Sequence, residues 1–370
     1  MKILEICEFS AGICGVWTRV KQESVELLKR GHEVYVFSSN SVKGTNETAK
    51  SYEEIEGIKI YRFPIKFKIG ENALFWDFEK KALGLSPDII IAHVYRHPHT
   101  NQALKVAKIL KQKGKNCKIF LVTHAPFVSP EIRGFKLTLL TKIYDLFYSK
   151  NLNKFDRIIA ITKWEIPHLL DLGVKKEKIV YIPNGLPEQF FKQIKSEPTK
   201  DVLFLGRIAP IKDLETLIKA AKMLPEVNFS IVGFAEKKYL EKLEMLIGNS
   251  KNIKIYPPIY DLKKKIHIFD EHKIVVLPSK RECFGQVLVE AMAREKIVIS
   301  SKTDGGKEII GNEYTGFLFD IGNEKELAEK ISFCLDKKNA RIVEKIKENA
   351  KEKAKEFQWS SLINELEMLF

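Results

Sequence analysis

Cysteine, long apolar runs and arginine are all scarce in this 370-residue chain, and each shortage removes a class of protein. The five cysteines, Cys7, Cys14, Cys117, Cys283 and Cys334, are odd in number and show no C-x2-C spacing. Neither a disulfide framework nor a zinc site is therefore expected, and the thiols should be buried or partly exposed. No stretch of about 18 apolar residues occurs, so no spanning helix is expected. The opening MKILEICEFS reads as a first buried strand rather than a charged segment leading into a long apolar one, and a cytoplasmic protein is the expectation. Only 10 of the 62 basic residues are arginine. Nucleic-acid recognition recruits arginine and aromatics, so nucleic acid is not an expected partner.

Acid is the other local shortage. The net charge of +14 is uneven, with +10 carried by residues 1–190 and +4 by 191–370. From Ile89 to Pro130 there is no acidic residue, while Arg96, Lys105, Lys108, Lys111, Lys113, Lys115 and Lys118 are present. Such a surface suits anionic lipid, because each cation near a negative leaflet contributes about 1 kcal/mol within a Debye length. A Lys/Glu-rich composition also arises as general adaptation to high temperature. An anionic membrane surface and an ordinary solvated face both remain open, and the location expected is cytoplasmic with a possible peripheral position on the inner face of the cell membrane.

What the chain does have is two runs of short apolar segments alternating with amphipathic ones, the pattern of a parallel sheet covered by helices. MKILEIC, HEVYVFSS, IKIYRF, DIIIAH, KIFLVTH, RIIAIT and IVYIPN read as strands of one half, and VLFLG, FSIVG, IKIYP, KIVVLP, KIVISS and GFLFD as strands of the other. Between the first two lies VKQESVELLKRG, helically periodic and stopped at Gly31. The length suits two α/β domains of roughly 170 to 190 residues. The proline-flanked, aperiodic segment 187–201 is the expected linker between residues 1–186 and 202–355, and 356–370 forms a last helix expected to pack back on the first domain.

The most informative stretch is PSKRECFGQVLVEAMA, residues 278–293. A helix starting near Phe284 and Gly285 presents unpaired N–H groups and the positive end of its dipole, which suits a phosphate. Glu282 falls just outside that helix and Glu290 about one turn inside it. Carboxylates repel phosphate, so these two should hold hydroxyls, such as a ribose diol and those of a sugar. Arg207 and Lys212 follow the strand VLFLG as G-R-x4-K, a bidentate fork and a movable point charge that suit a diphosphate. Gly12 and Gly15 in SAGICGVW mark a turn after the first strand, where a missing side chain allows close approach of a ligand. His124 ends KIFLVTH at the entry to a proline-containing loop.

Together with GICGVWTRVKQESVELLKRGHEVYVFSS, VTHAPF, AITKWE, IPNG, FLGRIAPIKDLETLIKAAKML and DGGKEII in order along the chain, the E-x7-E pair resembles retaining glycosyltransferases of family 4. The resemblance implies the GT-B fold, α/β, in which two Rossmann-like doubly wound domains face each other across a cleft. It implies transfer of a sugar from a nucleoside-diphosphate-sugar donor to a hydroxyl of a glycan or lipid-linked acceptor, without a metal or other cofactor. The absence of a D-x-D pair agrees with that. It also implies roles. Arg207 and Lys212 stabilise the departing diphosphate, and Glu290 takes the ribose. Glu282, with the amides of Phe284 and Gly285, takes the sugar and phosphate, Gly15 approaches the donor, and His124 assists at the reacting centre. The chain departs from the family in having Cys14 before Gly15 rather than two adjacent glycines, and in AMAREKIV, which lacks a glycine and proline common there. The aromatic and basic segment 133–155 stands where relatives bind acceptors, and a plain core helix is its alternative. A GT-B epimerase and a non-catalytic nucleotide- or glycan-binding scaffold are the rival functions.

Overall fold

The computed structural model describes residues 1–12, 14–69, 73–128, 134–193 and 197–370. The chain divides into two compact units, Met1–Gly185 with Trp359–Phe370, and Leu186–Gln358. Each is an open sheet with covering helices.

The first unit is built from β1 (Lys2–Phe9), α1 (Gly15–Lys29), β2 (Glu33–Ser39), β3 (Tyr52–Ile55), β4 (Ile58–Phe63), β5 (Ile65–Ile69), β6 (Ala73–Trp76), α2 (Glu79–Leu85), β7 (Ile89–His93), α3 (Pro98–Gln112), β8 (Lys118–Val122), α4 (Phe135–Tyr148), β9 (Arg157–Ala160), α5 (Glu165–Asp171) and β10 (Ile179–Tyr181). Eight strands pair in the order β10-β9-β8-β7-β1-β2-β4-β3, all parallel except the antiparallel β3. β5 and β6 form a separate hairpin. The strands foreseen in the sequence are all present, while β3, β5 and β6 are additional. YEEI and IKFKI are short and mostly on the surface, so they lack the apolar run that marks a central strand, while ALFW is apolar and buries Leu74 and Trp76 but at four residues is too short to show a period.

In β1 the side-chain period of two places Ile3, Glu5 and Cys7 on one face and Leu4, Ile6 and Glu8 on the other. Cys7 packs with Val20 of α1, so the first face lies under that helix. α1 buries Arg19, Val20, Glu23, Ser24 and Leu27 at helical spacing. Two charged residues of α1 therefore point into the same layer as Glu5. The unit closes with the C-terminal helix Trp359–Glu367, whose Trp359 is buried against Arg19 at 5.3 Å and donates its indole N–H to Gln22 at 2.9 Å. Gly185 makes room for this ring, since an added Cβ would stand 2.5 Å from Trp359 Cδ2.

The second unit runs β11 (Lys200–Leu205), α6 (Leu214–Lys222), β12 (Phe229–Val232), α7 (Lys237–Ile247), β13 (Ile253–Tyr256), α8 (Leu262–Asp270), β14 (His272–Leu277), α9 (Gln286–Ala293), β15 (Ile297–Ser301), α10 (Asp304–Ile309), β16 (Phe317–Phe319), α11 (Glu324–Leu335) and α12 (Ala340–Ala354). The sheet order is β13-β12-β11-β14-β15-β16, parallel throughout, which is the doubly wound arrangement. Segment 187–201, read as a linker, lies within this unit. Leu186 and Phe190 are fully buried there, and Lys200 already belongs to β11; residues 194–196 of the segment lie outside the described residues. The chain crosses between units at Gly185–Leu186 and again at Gln358–Trp359.

Candidate functional site

In a doubly wound sheet, ligands bind beyond the carboxyl ends of the strands where the winding reverses. In the second unit that point lies between β11 and β14, which pair with Val202 opposite Ile274. The loop after β11 carries Arg207 and Lys212, and the loop after β14 carries Glu282. Topology thus brings together residues that are 70 positions apart, and Lys212 Nζ and Glu282 Oε1 form an ion pair. Ser279 Oγ donates to the same carboxylate oxygen at 2.7 Å. The Lys280 amide donates to Ile211 O at 2.9 Å, joining the two loops through main chain.

Arg207 is exposed and reaches Glu236 at 3.6 Å. Its loop is fastened to the one after β12, where Ile208 N donates to Phe234 O at 2.8 Å. The fastening depends on Gly233, because a Cβ there would overlap the carbonyl oxygen of Gly206.

α9 begins at Gln286, with Gly285 as its N-cap in the left-handed conformation, φ 79°. Glu290 is therefore one turn inside the helix and Glu282 four residues before it. Phe284 is buried, with its ring edge-on to Phe357 at 5.8 Å. The glycines of DGGKEII serve packing: a Cβ on Gly305 would press on the Cys283–Phe284 peptide, and one on Gly306 would press on Ser301 O. The Gly305 amide also donates to Glu282 O at 3.0 Å, which holds the loop that presents Glu282.

Glu290 is almost wholly buried and accepts from Lys265 Nζ of α8 at 2.6 Å. Burial raises its pKa, and the Lys265 ammonium opposes the rise. Each glutamate of the E-x7-E pair is thus matched by a lysine from another element. Lys265 escaped the sequence reading, since it stands third in a run of three lysines in a lysine-rich chain.

The winding of the first unit reverses between β1 and β7, and two candidates lie at that edge. Gly15 opens α1, and a Cβ there would meet nothing within 4 Å. Gly12, by contrast, is required by the main chain of Lys43, which a Cβ would overlap.

β8 ends at Val122, so His124 stands two residues beyond the strand rather than at its end. His124 and Ala125 have φ of 59° and 47°, as do Val94 and Arg96 at 73° and 71° after β7. Left-handed backbone at four non-glycine positions costs energy and persists where the surroundings enforce it. Glu165 does so around His124, accepting from Thr123 Oγ1 at 2.6 Å, Ala125 N at 3.0 Å and Ile161 N at 2.6 Å. Burial lifts the Glu165 pKa to about 7, against these hydrogen bonds.

Behind His124 lies a buried chain of polar groups. His124 Nε2 is 3.0 Å from His93 Nδ1, and His93 Nε2 is 2.6 Å from Glu5 Oε2. Glu5 stands beside Glu23, an oxygen of each within 4.8 Å of the other, and Glu23 Oε2 accepts from Arg19 Nε at 3.0 Å. Arg19 also donates to Ile182 O, Pro183 O and Asn184 Oδ1 at 3.1, 3.0 and 3.1 Å. Burial pushes Glu5 up to about 8 and Glu23 to about 7, and pushes His93 down to about 3 and His124 well below the ordinary imidazole value. Glu5, Glu23 and His93 offer ligand atoms within 4.8 Å of one another. A cation among them would face the Arg19 guanidinium across Glu23, so the arrangement is that of a hydrogen-bonded chain rather than a metal centre. A glutamate within the apolar run KILEICEF was the one sequence signal for this chain.

The acid-free stretch is less basic on the surface than its composition suggests. Lys105, Lys111 and Arg96 pair with Glu79, Asp156 and Asp145 at 2.7, 3.1 and 2.6 Å, and Lys115 pairs with Asp88. These acids lie outside the stretch in sequence, which is why composition missed them. Within 133–155, residue 133 lies outside the described residues, and α4 is not a core helix: none of its fourteen residues is buried.

Two family models match the chain, Glycosyltransferase Family 4 over residues 13–190 and Glycosyl transferases group 1 over 187–353. An uncharacterised glycosyltransferase of Methanocaldococcus jannaschii is 27% identical over 97% of this chain and 95% of its own. The N,N'-diacetylbacillosaminyl-diphospho-undecaprenol alpha-1,3-N-acetylgalactosaminyltransferase of Campylobacter jejuni is 26% identical over 57% of this chain and 59% of its own. Among solved structures, the Anabaena protein HepE in complex with UDP has a TM-score of 0.78 at 20% identity, covering 100% of this chain and 99% of that one. A glycosyltransferase from Rickettsia africae has a TM-score of 0.75 at 21% identity, covering 100% and 97%. Both likenesses show the fold.

Proposed function

The chain belongs to glycosyltransferase family 4 and has the GT-B fold, and on that premise we propose that it is a retaining, metal-independent transferase. It takes a sugar from a nucleoside diphosphate and gives it to a hydroxyl of a glycan or lipid-linked acceptor. The observation that carries the reading is the switch-point cluster of Arg207, Lys212 and Glu282, with Glu290 held by Lys265 on the following helix. The M. jannaschii and C. jejuni relatives, one a glycosyltransferase and the other acting on a diphospho-undecaprenol glycan, support the class of reaction and of acceptor.

In this proposal the diphosphate competes with Glu282 for Lys212 and recruits Arg207. As the bond to the anomeric carbon breaks, charge grows on the leaving phosphate, and cations aimed there help most in the transition state. Glu282, released from Lys212, accepts from sugar hydroxyls. Glu290, with one oxygen held by Lys265, turns the other toward the ribose diol. Phe284 and Gly285 amides and the open space at Gly15 complete the set of donor contacts proposed, and neutral His124 serves the sugar. Retention follows a front-face course in which the leaving phosphate receives the acceptor proton.

The buried carboxyls Glu5 and Glu23 are what an epimerase reading could claim, since it needs acid/base groups in the first unit. Both are fully buried and stand behind His93, so neither can touch a substrate. The test is thermal stability with UDP, GDP, ADP and their sugar conjugates, on the wild type and Glu290→Ala. A ligand at about 100 times its Kd adds about 2.7 kcal/mol. One base family should stabilise the wild type and not the variant; no shift with any nucleotide sinks donor binding. A product assay then separates transfer, which frees a nucleoside diphosphate, from epimerisation, which gives an isomer, and from a silent scaffold, which gives neither.

We also propose that α4 lies on an anionic membrane surface. Phe135, Leu140, Leu146 and Phe147 are each 60–82% exposed beside Lys136 and Lys142, and the helix's one acid, Asp145, is occupied by Arg96 and Tyr95. An apolar face rimmed by lysine is the make-up of an interfacial helix. No helix among the described residues is long and apolar enough to cross a membrane. Leu146→Glu should abolish sedimentation with phosphatidylserine vesicles, and equal sedimentation of both proteins would defeat the idea.

A further inference from the structure

The buried chain behind His124 has a proton count that its geometry determines. Glu5 Oε1 and Glu23 Oε1 are both fully buried and without a donor, and an oxygen of each carboxyl lies within 4.8 Å of the other. Two ionised carboxylates cannot hydrogen-bond, and two buried negative charges against one Arg19 leave a net charge in the core. A single proton between them repairs both faults. Arg19 Nε binds Glu23 Oε2 at 3.0 Å, so Glu23 is the member kept ionised and Glu5 the one that carries the proton.

With that proton on Glu5 Oε1, directed at Glu23, its other oxygen can only accept. His93 must then carry its hydrogen on Nε2 to donate across 2.6 Å, leaving Nδ1 as an acceptor. His124 must carry its hydrogen on Nε2 to donate across 3.0 Å, leaving its own Nδ1 as a lone pair. The same number of protons could be placed with His93 as imidazolium. That arrangement puts a cation beside Arg19 in a dry core, leaves the two carboxylate oxygens facing each other without a hydrogen, and turns His124 into an Nδ1 donor.

We propose that Glu5 and Glu23 hold one proton between them and that, through His93, this proton keeps His124 neutral with Nδ1 as an acceptor for a hydroxyl hydrogen of the transferred sugar. The proposal rests on the glycosyltransferase reading only for the identity of that hydroxyl. An acceptor nitrogen binds an alcohol and is repelled by a phosphate oxygen, so His124 selects the sugar rather than the diphosphate. Glu5, Glu23 and His93 are positioning residues. The other ionisable groups around them are Arg19 on α1, Cys7 and Glu8 on β1, and His97 and His99 at the start of α3. His97 is engaged by Glu8 at 2.7 Å and His99 by the His93 carbonyl at 2.7 Å. The raised pKa values of the carboxyls and the lowered values of the histidines agree with this distribution.

The experiment is nitrogen-15 NMR of the histidine rings in the ligand-free wild type at pH 7.5. The expected result is that both His93 and His124 are neutral and protonated at Nε2. An imidazolium signal from His93, or His124 protonated at Nδ1, overturns the proposal. Glu5→Gln provides an independent arm because its amide reproduces a protonated glutamate, with the NH2 group facing Glu23 and the oxygen facing His93. It should keep both tautomers and turn over within about threefold of wild type, whereas a hundredfold loss, the scale of a lost acid/base group, refutes a positioning role. The ring tautomers are read without substrate. A protein with the expected tautomers and no transferase activity therefore counts against the proposed reaction and not against the shared proton.

Discussion

Stability of the first unit should fall as pH rises from 6 to 9, opposite to the usual effect of carboxylates, which stabilise once ionised. Glu5, Glu23 and Glu165 all belong to this unit, and burial raises their pKa values from 4.5 to about 8, 7 and 7. Between the unfolded and native values the native state holds a proton that the unfolded chain has released. The stability such a group contributes is fully present below pH 4.5 and is lost as pH passes its native pKa. The slope is about 1.4 kcal/mol per pH unit for each group. From pH 6, Glu5 therefore costs about 3 kcal/mol over two units and Glu165 about 1 kcal/mol over one, a total of about 4 kcal/mol, while Glu23, already ionised beside Arg19, adds nothing. The buried histidines offset part of this, adding back about 2 kcal/mol, nearly all of it between about pH 6 and 7 where the unfolded imidazoles lose their protons. His93 and His99 are depressed to about 3 and His124 falls well below 6.5, so their contribution is complete above about pH 7.5 and is lost as pH falls through 6.5. The net loss is about 2 kcal/mol, so calorimetry at pH 6, 7, 8 and 9 should show the transition of this unit dropping by about 4–8 °C, at 2–4 °C per kcal/mol. Glu5→Gln should remove more than half of the drop. A transition that stays level or rises toward pH 9, or a Glu5→Gln variant as steep as wild type, would refute the assignment of protons to these carboxyls.

Three further outcomes test other parts of the structure. Lys265→Met leaves Glu290 buried without its cation, so donor affinity at pH 7 should fall about tenfold or more, as expected for one member of a buried charge pair; calorimetric titration with the stabilising nucleotide measures it. Gly233→Ala sets a methyl group into the Gly206 carbonyl, which should destabilise the second unit by about 3 kcal/mol and displace the Arg207 loop, read from the urea midpoint and from donor binding together. Trp359→Ala removes a buried ring from Arg19 and Gly185 and should cost the first unit about 3–5 kcal/mol, with protease cleavage near residue 359 becoming fast.

How much could be read in advance follows from the range of the interaction concerned. Strand and helix period is local, so the parallel strands of both sheets, the Gly31 stop and the helix opening after Gly285 were legible from apolar spacing and turn chemistry. β3 and β5 were not, because a short surface strand has no apolar face to betray it, and the four apolar residues of β6 are too few to show a period. Spacing also placed Glu282 before α9 and Glu290 inside it, with Arg207 and Lys212 on one loop. It could not supply their partners. Lys265 is one of three consecutive lysines, and only the seating of α8 selects it for Glu290. The exposure of α4 was equally hidden, since an apolar helix pattern is the same whether its face is covered or bare.

By itself the sequence determined the class of fold, the family and the chemical types gathered at the switch point, since these depend on periodicity and on short motifs whose residues act as neighbours. Tertiary structure alone decided which charges meet. Parallel pairing of β1 with β7, and α1 lying over β1 and β2, sets Glu5, Glu23, Arg19, His93 and His124 together although they span 120 positions of sequence. Whether a glutamate there is an anion or a proton carrier depends on the water it has lost and the cation it has gained, and neither is a property of the residue's neighbours along the chain.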